Sequence, residues 1–105
     1  MNSSVKDSKM LFLVHAVDRG ENGEDRLRWY KAHREHMARI EAYNIQIVMA
    51  GPLVEEQHGE TMIGSFLLIE AENKSYVEAF IHDDPFYVNE VWEQISIHRF
   101  LQRIG

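Results

Sequence analysis

The sequence has 105 residues, 45% of them hydrophobic and 27% charged, which suits one globular domain burying roughly two thirds of its unfolded surface. Its net charge of −6 offers no basic footprint to a phosphate backbone or an acidic lipid surface, so neither nucleic acid nor a membrane is an expected partner. It has no cysteine, which removes disulfides, thiolate nucleophiles and cysteine-based zinc sites together.

Residues 1–9 (MNSSVKDSK) are polar and read as a flexible lead-in to a single domain over 10–105. The run MLFLVHAVD at 10–18 is rich in strand formers. It is too short to span a bilayer and has no cleavage-site pattern, so no signal peptide is read and the cytoplasm is the default location. The glycine-containing DRGENGED follows as a loop. From 24 to 43 the pattern is helical. Leu27, Tyr30, Met37 and Ile40 line one face, Trp29 and Tyr43 extend it, and Glu24 and Asp25 suit the positive end of the helix dipole.

Residues 45–50 (IQIVMA) read as a second strand stopped by Gly51-Pro52, and a polar loop carrying His58 leads to a third strand at 61–70. Asn73 or Ser75 caps a shorter helix at about 75–82, which halts before Asp84-Pro85 because proline disfavours helix in the residue before it. PFYVNEVW is a turn or short helical segment, and 93–100 (EQISIHRF) alternates as a fourth strand.

The order strand, helix, strand, strand, helix, strand predicts an α+β fold. It is the ferredoxin-like βαββαβ arrangement, a four-stranded antiparallel sheet with two helices on one face. The strands are apolar on both sides: Leu11, Leu13 and Val17 against Phe12, Val14 and Ala16, then Ile63, Leu67 and Ile69 against Phe66 and Leu68. Helices cover one face only, so a second copy of the chain is the economical cover for the other, and a homodimer is expected.

The chemistry centres on histidine. His33 and His36 lie at i and i+3, near enough to share an ion, yet there is neither an HExxH motif nor a cysteine pair to complete a site. No metal is expected. Histidine also serves as a general base near neutrality, best when a carboxylate holds its other nitrogen. With six histidines and 17 acids an incidental pairing is common, but Asp84 has a particular setting. Proline fixes the backbone after it, and Phe86, Tyr87 and Trp92 could wall a pocket; the plainer reading is a helix-ending turn.

Ser65 is a lone hydroxyl on the strand face of Ile63, Leu67 and Ile69, where either a substrate oxygen or a backbone carbonyl could be its partner. Without a GxSxG elbow it is not read as an acyl nucleophile. His15 and His98 fall on sheet strands as satisfied sheet histidines, His58 lies in a loop, and His82 suits the negative end of its helix.

Taken in order, "HMARI…IVMAGPL…GSFLLIEA…VEAFIHDDPF…VWEQISIHRF" resembles the YCII-like family, small proteins of the dimeric α+β barrel type, over nearly the whole chain. The resemblance implies a catalytic pair made by a first-helix histidine and the aspartate of the DP turn. Carried over, these are His36, which opens "HMARI", and Asp84, with His33 as the competing histidine and Ser65 at the family's GS position. It further implies a cofactor-free enzyme acting on a small aromatic or cyclic oxygenated compound. Dehydrochlorination of a chlorinated hydroxyhydroquinone is the best-described activity: the histidine deprotonates a phenolic hydroxyl and chloride is expelled. Phe12, Phe66, Phe86 and Trp92, with His33, are then expected to contact the substrate. A muconolactone-type isomerase and a non-catalytic ligand-binding protein are the alternatives.

Overall fold

The computed structural model describes residues 9–20, 23–57 and 59–105. The expectations of a flexible lead-in and of His58 in a loop therefore fall outside the described residues, Lys9 apart. Eight elements follow in chain order: β1 (Met10–Asp18), α1 (Gly23–Met37), a 3-10 turn (Ile40–Tyr43), β2 (Gln46–Val54), β3 (Met62–Ala71), α2 (Lys74–His82), α3 (Pro85–Val88) and β4 (Trp92–Phe100). All strand pairs are antiparallel and the sheet order is β2-β3-β1-β4, the ferredoxin-like arrangement expected.

Strand alternation divides the sheet as the sequence implies. Phe12, Val14 and Ala16 of β1 lie opposite Ile69, Leu67 and Ser65 of β3, all facing the helices. There they join Val77, Phe80 and Ile81 of α2, Phe86 of α3, and Val91 and Trp92 in one buried core. The other face carries Leu11, Leu13 and Val17 of β1 beside Glu70, Leu68 and Gly64 of β3, and no helix among the described residues packs on it.

Three local departures have identifiable causes. The single long helix expected over 24–43 is two pieces. The ladder tightens to i+3 bonds at Ala38 N–H to Glu35 O (3.2 Å) and Arg39 N–H to His36 O (2.9 Å), and Asn44 ends the 3-10 turn at φ 59°. The predicted apolar stripe faces inward only in part: Trp29, Met37, Ile40 and Tyr43 pack against the core, but Leu27 is 80% and Tyr30 48% exposed, and the buried residues of α1 are Arg26 and His36. Finally, β2 runs through Gly51-Pro52 instead of stopping there. As an edge strand it tolerates a proline, whose missing N–H costs nothing when turned away from β3.

The cap of α2 follows the sequence, the Tyr76 N–H donating to Asn73 Oδ1 at 3.2 Å. Gly64 is fixed by space rather than by backbone angle. A Cβ built there meets the Ala16 carbonyl oxygen at 2.3 Å, so β1 and β3 approach at a place where only hydrogen fits.

Candidate active site

Asp84 is completely buried, and a buried carboxylate needs donors. Its position as N-cap of α3 supplies one: the Phe86 N–H donates to Oδ1 at 2.8 Å, with Pro85 in the first helical turn. The other comes from α1, where His33 Nδ1–H donates to Oδ1 and Oδ2 at 2.8 and 2.9 Å. A carboxylate can only accept, so this pairing puts a hydrogen on Nδ1 and, in the neutral imidazole, leaves the lone pair on Nε2. The imidazole stacks on Phe86 with centroids 4.1 Å apart and planes 1° off parallel, and Trp92 meets it edge-on at 6.1 Å. Nε2 has no partner among the described residues, and the ring lines an open cleft.

His36 is thereby corrected as the partner of Asp84. One turn further along α1 it points elsewhere, its Nε2–H donating to the Phe80 carbonyl at 2.7 Å while its ring stacks on Phe80. It is 5% exposed and does not line the cleft. The two histidines serve different neighbours rather than a shared ion. Asp83 is likewise committed: it accepts from the Tyr43 hydroxyl at 2.7 Å, a bond that holds the phenol's pKa above its usual 10.0. Of the adjacent acids, Asp84 alone meets an imidazole.

A second polar cluster lies on the same wall. Arg26 forks onto Asp18, with Nε to Oδ2 at 2.6 Å and Nη2 to Oδ1 at 3.3 Å. Nη2 also donates to the Gly64 carbonyl at 2.6 Å and to Ser65 Oγ at 2.7 Å. Trp92 Nε1–H donates to the same Oγ at 3.1 Å. The guanidinium carbon sits 5.1 Å from the Phe86 centroid, so Phe86 has an imidazole and a cation for neighbours. Asp18, Arg26 and Ser65 are all buried.

The cleft has a volume of about 1260 Å³ and opens between α1 and the β2–β3 side of the sheet. That exceeds the usual range of roughly 300–1,000 Å³ for a small-molecule pocket, in keeping with its open rim at Leu27 and Tyr30. His33, Arg26, Ser65, Phe86 and Phe66 line it, although alternation sets Phe66 opposite to Ser65 and Leu67. Two expected wall residues are corrected. Phe12 is 3% exposed and packs in the core among the helix-facing residues. Trp92 is also 3% exposed and backs Ser65 from behind; the hollow it lines is a separate one, between α2, α3 and β4. His15 and His98 are exposed on the uncovered sheet face and are not satisfied sheet histidines, while the His82 ring lies against Tyr87 at a tilt of 31°.

Asp18 and Arg26 were not singled out from the sequence. The signal was present: Arg26, Trp29, His33, His36 and Ile40 recur every three or four residues along one helix face. It was obscured because apolar positions define the expected inward face, whereas here polar Arg26, His33 and His36 share that face with Trp29, Met37 and Ile40.

Fold and site together define a ferredoxin-like α+β protein with a His–Asp pair at the edge of a cleft. The chain belongs to the YCII-related domain family, whose profile matches residues 10–101. Comparison with the curated proteins returns no match. Among solved structures it is similar to 5-chloro-2-hydroxyhydroquinone dehydrochlorinase (TftG) of Burkholderia phenoliruptrix AC1100, solved in complex with 2,5-dihydroxybenzoquinone. Identity is 30%, the TM-score 0.79, and the match covers 90% of this chain and 96% of that one. A dimeric ferredoxin-like protein from an uncultured marine organism matches at 13% identity and TM-score 0.52, covering 91% and 98% of the two chains. A conserved protein of Methanosarcina mazei Go1 matches at 13% and 0.51, covering 94% and 99%. These last two likenesses concern the fold alone.

Proposed function

We propose that this protein is a cofactor-free lyase that removes HCl from a chlorinated hydroxyhydroquinone, with His33 as its acid–base group. The observation that carries the reading is the His33–Asp84 pair: Nδ1 is engaged by a buried carboxylate, and the ring lines the cleft with Nε2 unpartnered among the described residues. A likeness of 30% identity over 90% of the chain to a dehydrochlorinase supports the choice of substrate class.

The elimination balances in two proton movements. His33 Nε2 takes the proton of one ring hydroxyl and returns it to the carbon that bears chlorine, which becomes tetrahedral as the oxygen becomes a carbonyl. It then takes the proton of a second hydroxyl; that oxygen's electrons pass through the ring to form a second carbonyl as the C–Cl bond breaks. A hydroxyquinone, chloride and one proton result, with no outside oxidant. Asp84 keeps the imidazole in one tautomer and orientation and faces the ring with negative charge while it carries the proton. Ser65 holds a ring oxygen, and Phe86 backs the imidazole.

The test is chloride release and ultraviolet change with 5-chloro-2-hydroxyhydroquinone, comparing wild type with His33→Asn, which leaves a polar group beside Asp84. Wild type is expected to release chloride and the variant to turn over roughly 10²–10⁴-fold more slowly. Equal rates in both would overturn the role of His33. A rearranged ring that keeps its chlorine would favour isomerisation, and binding of 2,5-dihydroxybenzoquinone without turnover of any kind would favour a binding protein.

We also propose that the protein is a homodimer joined through its uncovered sheet face. Leu11, Leu13, Val17 and Leu53 are half-buried there and Met49 is 56% exposed, an apolar surface with no helix to cover it. A second copy offers the same surface about a two-fold axis, so one patch satisfies both sides of the contact.

A further inference from the structure

We infer that Arg26 and Trp92 are positioning residues that turn Ser65 into an obligate hydrogen donor, so that the cleft selects a ring bearing an acceptor oxygen, a quinone carbonyl or phenolate, over its hydroxyl counterpart. The inference rests on the proposed substrate class and refines it.

A serine hydroxyl has two acceptor lone pairs and one hydrogen. At Ser65 both partners are donors, Arg26 Nη2 at 2.7 Å and Trp92 Nε1 at 3.1 Å. Neither can accept: guanidinium and indole N–H groups only donate. The two lone pairs are therefore occupied, and no acceptor for the hydroxyl hydrogen is found among the described residues. Ser65 is 6% exposed, and the space it does reach is the cleft. Its hydrogen is left for whatever oxygen occupies that cleft.

The donors themselves are held firmly. Arg26 is locked by Asp18 on one side and by the Gly64 carbonyl on the other, and Trp92 is buried at the start of β4. Ser65 cannot rotate to accept from a ligand hydroxyl without breaking one of these bonds. Asp18 offsets the charge of Arg26, so the site offers a directed hydrogen more than a net positive field. Oxygen that only accepts, or accepts most strongly, suits such a site best. In the proposed reaction, the oxygens that gain carbonyl character are of this kind.

The experiment is calorimetric binding, without turnover, of two probes of one ring: 2,5-dihydroxybenzoquinone and, anaerobically, its reduced form 1,2,4,5-tetrahydroxybenzene. Wild type is expected to prefer the quinone by about tenfold, the size of one hydrogen bond to a partly charged partner. Ser65→Ala should abolish the preference, and Ser65→Thr, which restores the hydroxyl, should keep it. Trp92→Phe should narrow it to a few-fold because one lone pair of Ser65 becomes free. Arg26→Lys should narrow it likewise, since an ammonium lacks the fork that reaches Asp18, Gly64 and Ser65 together. A merely structural role would lower melting temperatures and leave the ratio unchanged. No preference in wild type, no binding by wild type, or an unchanged preference in Ser65→Ala would each overturn the inference. The chloride assay is a separate readout, so loss of the proposed reaction and loss of this selectivity are told apart.

Discussion

At the scale of single residues, two histidines one turn apart have opposite fates because of what faces them. His33 meets a carboxylate and an open cleft; His36 meets a backbone carbonyl and the Phe80 ring. Substitution should separate the two. His36→Ala removes a buried ring and strands the Phe80 carbonyl, so it should cost about 2–4 kcal/mol of stability. At a temperature where the variant is folded, kcat should remain within a few-fold of wild type. Urea denaturation and initial rates check both halves, and a folded His36→Ala without turnover would return the acid–base role to His36. The choice between the histidines lay beyond the sequence. Both precede Met37 in a charged stretch, and a rotation of about 100° per residue decides which one meets Asp84.

At the scale of elements, the site depends on close approach between strands. Gly64 lets β3 come against β1 at Ala16, and its own carbonyl is one of the groups that fix Arg26. Gly64→Ala must push the strands apart, at a cost of roughly 1–3 kcal/mol or more. Because Arg26 and Ser65 sit at the same point, affinity for the dihydroxyquinone should fall as well. A thermal melt alongside a binding isotherm measures both, and an unaltered melt would mean that the sheet absorbs the extra carbon. The strands and α2 were legible in the sequence, since alternation at Phe12–Val14–Ala16 and the Asn73 cap are local signals. The course of α1 was less so. Its inward face carries Arg26, His33 and His36, and hydrophobic periodicity cannot register a face that is buried because it is polar and satisfied. The run of β2 through Pro52 was hidden for a different reason: whether a proline ends a strand depends on whether that strand lies at an edge, which is a property of the whole sheet.

At the scale of the whole molecule, the proposed dimer can be tested apart from the chemistry. Leu13 lies near the middle of the uncovered face, between Leu68 of β3 and His98 of β4. Leu13→Glu places a charge where a second copy would bury it. Sedimentation should then report the mass of one chain for the variant and of two for wild type. A wild-type protein that sediments as a single chain at high concentration would remove the second copy as occupant of that face.

The pair His33 and Asp84 is separated by 51 residues, and Arg26 and Ser65 by 39. Asp18 comes from the first strand and Trp92 from the last, and apart from the Asp18–Arg26 pair, eight residues apart, the side-chain bonds of the cluster close long loops. A chain that stops before Trp92 holds part of the constellation but never all of it. During refolding, the return of turnover should therefore lag behind the return of helical signal and coincide with final docking of the chain ends. On the proposed function, turnover is a reporter of completeness: it reads out whether the last strand has arrived.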